Sequence, residues 1–368
     1  MTTHPFIKLV LLFCSGIWGS HAIGSEAPLL PDEQSTVLSN TAAAILDNYV
    51  YATRAHEIAS EVEQWIESDR YSRISERAEF ARILTADLLE ISGDKHFVVN
   101  FNPGFIAERM RLTNVAESEG GSERQMPTTE PAIDWNLWYS TESNFGIPKV
   151  EILAGNIGYL KLNFFEPLSI ARPTLDAAMA LLANSNALII DLRDNGGGYS
   201  PSDAYLASYF FEADFGLWSS TYNRVSDTTS TVSLFSTVTG ERYLGRPIYL
   251  LIGENTFSLA EKLAYGLKHF GRAQIVGQTS AGAAHAIDIT ILNDSFFLQV
   301  PIERNTHPVT QTDWEGRGVE PTVDALPEQS LVTAHRAALE TLIEETAHER
   351  IRTIYSEIKA QLGDPPAE

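Results

Sequence analysis

The chain has 368 residues, with 44% hydrophobic and 10% aromatic content, enough for about two domains and a full core, which excludes disorder as its overall state. Its 26 basic residues face 48 acidic ones, a formal net charge of −22. That balance argues against a nucleic-acid-binding surface, which needs positive charge to displace counterions from phosphates, and against adhesion to anionic lipid.

In chain order, "MTTHPFIKLVLLFCSGIWGSHA" carries Lys8, an apolar run from Leu9 to Trp18 and small residues toward Ala22. The pattern predicts a cleavable signal peptide over 1–22, too short to span a bilayer, and with it a periplasmic or secreted protein. Cys14, the sole cysteine, lies in that run, so the processed chain is expected to have neither disulfides nor thiolate chemistry. An N-terminal helical domain is predicted over 23–103. Ile58, Val62, Trp65 and Ile66 share one helical face there, and Phe80, Leu84, Leu88 and Ile91 another. Residues 104–131 contain "NVAESEGGSERQMPTTEP" and read as a linker or mobile loop.

From 132 to 328 strand and helix signals alternate, which predicts an α/β core. "IGYLKLNFF" (157–165) reads as a strand and 172–185 as a helix; "ALIIDL" (187–192) is a continuous apolar run, as in a strand covered on both faces. A helix at 201–211, the strand "IYLLI" (248–252), a helix at 259–270 and the strand 273–277 follow. "AIDITIL" and "FFLQVPI" predict an antiparallel pair across the turn "NDS". Residues 329–368 read as one or two amphipathic helices.

Two stretches carry chemistry. In "ENTFSLAEK", Ser258 and Glu261 spell a capping box, and Leu259, Leu263 and Leu267 repeat as an amphipathic helix requires. Ser258 also follows a buried strand directly, where a side chain is exposed at the C-terminal edge of a sheet and a helix N-terminus favours developing negative charge. It can therefore be a cap or a nucleophile. In "DLRDNGGGYS" a strand runs into three glycines, a turn that can form an oxyanion hole, a phosphate cradle or a bare structural exit. It lacks the lysine of a P-loop and the glycine spacing of a dinucleotide site.

Taken together and in order, "IGYLKLNFF", "ALIIDLRDNGGGYS", "IYLLIGENTFSLAEKLAYGLK", "AQIVGQTSAGAAH" and "WEGRGVEPTV" resemble the tail-specific, carboxyl-terminal-processing serine protease family. Within it they are most similar to the branch with the tricorn protease core and the interphotoreceptor retinoid-binding repeats. The resemblance implies a ClpP/crotonase-like layered α/β core with an N-terminal helical bundle and a C-terminal helix. It implies a serine peptidase acting on peptides or unfolded protein without a cofactor. Ser258 would be the nucleophile, His96 in "GDKHF" the base and Glu315 in "DWEGRG" the carboxylate that orients it. The N–H groups of Gly197 or Gly198 and of Leu259 would form the oxyanion hole.

The sequence departs from the family at two places. The lysine-dyad turn of the other branch reads here "GQTSAGAAH", with Ala281, Gly282 and Ala283 in place of a lysine. Lys95 stands where the tricorn-type pattern has a serine before the histidine. Lys262 is expected along the helix surface, His285 as a substrate contact or structural residue, and His307 in a loop near the site. Glu320 competes with Glu315. No HExxH-type arrangement occurs, so no metal site is expected. The rival reading is a non-catalytic binder of lipophilic small molecules on the same fold. Neither nucleic acid nor stable membrane insertion is expected.

Overall fold

The computed structural model describes residues 28–118 and 135–363. The signal-peptide reading of 1–22 and the reading of 119–131 as a linker lie outside these residues. The first half of the expected linker, however, belongs to a helix: after α1 (Pro31–Asn48), α2 (Ala52–Ile66), α3 (Arg77–Ser92) and the strand β1 (Val98–Phe101) comes α4 (Pro103–Ser118). The chain continues through α5 (Trp135–Glu142), β2 (Lys149–Leu153), β3 (Ile157–Lys161), α6 (Leu168–Leu182), β4 (Ala187–Asp191) and α7 (Ser202–Ser208). Then follow β5 (Leu217–Asn223), β6 (Thr228–Ser233), β7 (Ile248–Ile252), α8 (Leu259–His269) and β8 (Gln274–Gly277). The last elements are β9 (Ala286–Ile291), β10 (Phe296–Thr306), β11 (Val323–Asp324), α9 (Ser330–Glu345) and α10 (Glu349–Gln361). No helix among the described residues is long and apolar enough to cross a membrane.

Six strands form one sheet in the order β11-β8-β7-β4-β3-β2, parallel except for β2 at its edge. The continuous apolar runs are explained by its two covered faces. Leu188 and Ile190 of β4 and Leu250 of β7 pack toward α6, α7 and α8, whereas Ala187, Ile189, Tyr249 and Leu251 pack toward α9. Burying each Leu or Ile this completely contributes roughly 1.5–3 kcal/mol. Because β4 and β7 are neighbours paired Asp191 to Leu251, the glycine turn after β4 and the serine turn after β7 leave the sheet side by side.

A second, five-stranded antiparallel sheet runs β1-β10-β5-β6, with β9 also on β10. β1 lies inside the stretch read as helical, and its pairing of Val98 with Gln299 ties the N-terminal unit to β10. Helices α1–α3 bury Val37, Ile45, Ile58, Phe80 and Leu84 in one cluster with Phe296, Leu298 and Val300 of β10. The α3–β1 turn, residues 93–97, is thereby carried up against the α/β core.

Candidate active site

Ser258 is fixed from three sides. The Phe257 N–H donates to the Asn195 carbonyl (3.0 Å), and the Thr256 hydroxyl donates to the Leu192 carbonyl (2.8 Å), stitching the serine turn to the glycine turn. Glu261 reaches back one helical turn to accept the Ser258 N–H at 2.9 Å. Ser258 itself has φ 53° and ψ −115°, a conformation that residues with a Cβ rarely adopt and that costs about 1–3 kcal/mol. An ordinary N-cap residue sits in the extended region instead. The residues of a capping box are present, but the Ser258 side chain makes no cap hydrogen bond, and a cap alone does not require that backbone.

Glu261 is the hub of this strain. Fully buried, its carboxylate also accepts the Ser280 hydroxyl (2.6 Å) and the N–H groups of Gly282 (2.6 Å) and Ala283 (2.9 Å). Burial pushes its pKa above the ordinary value despite these four donors. Glu261→Leu should strand all four, at roughly 1–3 kcal/mol per buried unpaired group and less than additively. A loss on the order of 4 kcal/mol in urea unfolding is expected. A loss below about 1 kcal/mol would show that the turn holds itself.

The glycine turn presses against the serine. A Cβ on Gly197 would come within 2.9 Å of the Ser258 Cβ, and one on Gly198, whose φ is 138°, within 2.1 Å of the Phe165 carbonyl oxygen. Only glycine allows this approach. The Phe165 N–H donates to the Gly197 carbonyl and the Tyr199 N–H to the Phe165 carbonyl, both at 2.8 Å, which locks the turn in place. Asp191 and Arg193 brace its start, with Tyr159 also donating to Asp191. The Gly197 N–H is already donated to Asn195 Oδ1 at 2.9 Å, so the sequence-based assignment of that amide to an oxyanion hole is corrected. The N–H groups of Gly198 and Leu259 have no acceptor among the described residues.

His96 comes from the α3–β1 turn. Gly93, at φ 74°, ends α3; Asp94 then accepts the His96 backbone N–H at 3.0 Å. The His96 ring is 7% exposed and packs on Phe257, the residue before Ser258, with centroids 4.8 Å apart. Its Nδ1 lies 3.5 Å from Asp94 Oδ1, and neither ring nitrogen has a hydrogen-bond partner among the described residues. A buried imidazole with both nitrogens unpaired is uncommon, since buried polar side-chain atoms are normally satisfied.

The carboxylate nearest His96 is therefore Asp94, which sequence reasoning missed, rather than Glu315. Glu315 stands close by: Asp94, His96 and Glu315 bring ligand-capable atoms within 4.8 Å of one another. Both Asp94 oxygens are already hydrogen-bonded, Oδ1 by the His96 N–H and Oδ2 by His285 Nδ1 at 2.6 Å. At Asp94, therefore, a cation would have to compete with two donors already in place. Burial pushes the Asp94 carboxyl up, but the bonds from His285 and His96 outweigh it and hold it well below the carboxylate range. Glu315 is pushed up to about 7 by burial and by the charge of Asp94, with the Ala284 N–H (2.6 Å) as its main donor. Two carboxylates with pKa values driven apart are what acid–base division of labour requires.

Several expectations change. His285, foreseen as a substrate contact or a structural residue, is 2% exposed, with Nδ1 on Asp94 and Nε2 3.4 Å from the Tyr51 hydroxyl, the structural arrangement of the two. Lys262 is buried instead of lying on the surface, 3.7 Å from Asp203, whose other contact is the Trp218 indole N–H. His307 packs on Tyr265, His269 and Phe270 at the far end of α8, roughly 10–16 Å along the helix from Ser258 at 1.5 Å rise per residue. Glu320 is exposed, and its backbone carbonyl accepts Lys268. Lys95 turns away from His96 and donates to the Ala281 carbonyl at 2.6 Å, so it tethers the turn and supplies no hydroxyl relay.

The layered α/β fold is shared with solved structures. The crystal structure of mature CPAF superposes with a TM-score of 0.54 at 12% identity, covering 90% of this chain and 96% of that one. A lipoprotein from Streptococcus agalactiae gives 0.50 at 15% identity, covering 83% and 97%. The chain belongs to peptidase family S41: residues 156–325 match that family, and residues 28–130 match the N-terminal domain of Peptidase_S41 in eukaryotic IRBP. Carboxyl-terminal-processing peptidase 2, chloroplastic, of Arabidopsis thaliana is 30% identical over 166 residues, covering 45% of this chain and 31% of that protein. Carboxyl-terminal-processing peptidase 1, chloroplastic, of the same plant is 26% identical over 249 residues, covering 67% and 48%. The chain thus spans between about a third and a half of the length of these curated relatives.

Proposed function

We propose that the protein is a serine peptidase cleaving peptides or unfolded protein chains by acyl transfer. Ser258 is the nucleophile and His96 the base; the N–H groups of Gly198 and Leu259 bind the oxyanion, and Asp94 orients His96 with Glu315 behind it. The observation that carries the reading is Ser258 in a strained backbone, wedged between Gly197 and Glu261, with a buried, unpartnered imidazole packed on the residue before it, Phe257. With Nδ1 toward Asp94, the His96 Nε2 takes the Ser258 proton as Oγ adds to the scissile carbonyl. The tetrahedral oxyanion is held by the two amides. The imidazolium then protonates the leaving amine, and water repeats the cycle on the acyl ester. Water is the one co-reactant, and it supplies the oxygen and proton of the released carboxylic acid. Membership of family S41 supports it. The rival, a lipophilic-ligand binder, has no use for a strained serine or for an unpartnered buried imidazole.

The test is a fluorophosphonate probe applied to the intact protein, with the adduct mapped by peptide mass spectrometry. Phosphonylation at Ser258 is expected; an unlabelled protein, or an adduct elsewhere, overturns the reading. Export to a periplasmic or extracellular location belongs to the same proposal, on the pattern of residues 1–22. Recovery of a chain beginning near residue 23 from the exported fraction is the expected result.

A further inference from the structure

The segment 281–285 bonds in succession to the serine turn, to Glu261, to Glu315 and to the turn that carries His96. Ala281 donates its N–H to the Thr256 carbonyl and accepts Lys95; Gly282 and Ala283 donate to Glu261; Ala284 donates to Glu315; His285 donates to Asp94. Through Glu261 this splint is bonded to the backbone of Ser258, and through Asp94 to the turn that carries His96. His285 is the one member that contributes a side chain.

We propose that His285 is a positioning residue for the peptidase reaction, a second imidazole that clamps Asp94 Oδ2 so that Oδ1 faces His96. The inference rests on the reading of Ser258 and His96 given above. Geometry carries it. The Nδ1–Oδ2 distance of 2.6 Å is that of a charge-assisted bond, and it joins residues 191 positions apart. Asp94 itself is 2% exposed. A carboxylate that buried and free to rotate would not present one oxygen to a neighbour, and losing one donor leaves it under-compensated. Tyr51 fixes the far side of the ring, edge-on at 5.4 Å and with its hydroxyl near Nε2.

The charged and titratable groups facing His285 are Asp94 from the α3–β1 turn, Glu315 and Asp313 from the loop after β10, and Tyr49 and Tyr51 from the α1–α2 connection. Arg304 on β10 lies beyond, over the Tyr51 ring. Burial lowers the affinity of His285 for its second proton, but the Asp94 bond and the surrounding carboxylates outweigh it and raise its pKa. When that donor is removed, Asp94 takes up a proton at a higher pH than in the wild type, and His96 loses its counter-charge there.

His285→Phe keeps the ring volume without the donor, whereas His285→Asn returns an N–H at similar reach. His285→Phe is expected to lower kcat about 10²-fold, the cost of a misplaced catalytic group, with KM within about 3-fold and the acid limb of the pH–rate profile moved upward. His285→Asn should recover to within about 10-fold of wild type at unchanged melting temperature. A wild-type profile in His285→Phe, or His285→Asn as impaired as His285→Phe with its fold intact, overturns the inference. A wild-type protein that fails to react with the fluorophosphonate brings down the underlying reading instead, so the two failures are distinct.

Discussion

Ser258→Ala is expected to lower kcat about 10⁶-fold, the loss seen when the nucleophile is removed from a serine hydrolase. Stability should change by about 1 kcal/mol or less. The two numbers separate the two roles this residue can have. Alanine suffers the same steric cost as serine at φ 53°, so backbone strain is not relieved by the change. The bond from the residue-258 N–H to Glu261 survives, because it uses the main chain. Only the hydroxyl is lost, and it makes no cap hydrogen bond here, whereas a hydroxyl that did cap the helix would be worth about 0.5–2 kcal/mol. Steady-state cleavage of a peptide library and a urea melt on the same preparation distinguish the roles. A variant that keeps kcat within about tenfold while losing stability would make Ser258 a helix cap and nothing more. Glu261→Leu should show a different pattern, with the main damage in the melt.

What the sequence reveals depends on how local the signal is. β4 and β7 announce themselves as continuous apolar runs because both faces of the central sheet are covered, and Ser258 and the glycines follow them directly in the chain. β1 is only four residues long and follows a strong helical pattern, so its pairing with β10 some 200 positions away leaves no periodic trace. Lys262 departs from its expected surface position because α8 has no solvent face along most of its length. The helix is buried from Leu259 through Leu267 on all sides, and its charged residues pair internally with Asp203 and the 280–283 turn. Asp94 sits just after a glycine that ends a helix, where an aspartate reads as an ordinary turn residue. Its significance comes from His285, which arrives from 191 residues further along. The Gly197 and Gly198 amides differ through a local contact instead: the Asn195 side chain, two residues back, takes the Gly197 N–H, a turn detail with no periodic trace in the sequence.

Asp94→Asn should lower kcat by about 10⁴, the cost of substituting the orienting carboxylate of a serine triad, whereas Glu315→Gln should cost less than about tenfold. The contrast follows from the protons each group holds. Asp94 accepts on both oxygens, from the His96 backbone and from His285, so asparagine must place an NH₂ against one donor or lose its oxygen from the other. If the amide turns its NH₂ toward His96, it donates to Nδ1 and forces the remaining ring proton onto Nε2, the nitrogen that has to accept from Ser258. Glu315 is different. With its pKa pushed up to about 7, it carries a proton for part of the time at neutral pH, and glutamine copies that neutral form. Its oxygen still accepts the Ala284 N–H. The wild-type acid limb, accordingly, is not set by Asp94, whose carboxyl stays charged far below neutrality. Parallel pH–rate profiles of the two variants discriminate between the carboxylates. If Glu315→Gln collapses activity and Asp94→Asn retains it, the orienting role returns to Glu315, and the short Asp94–His285 bond is a packing feature of the turn.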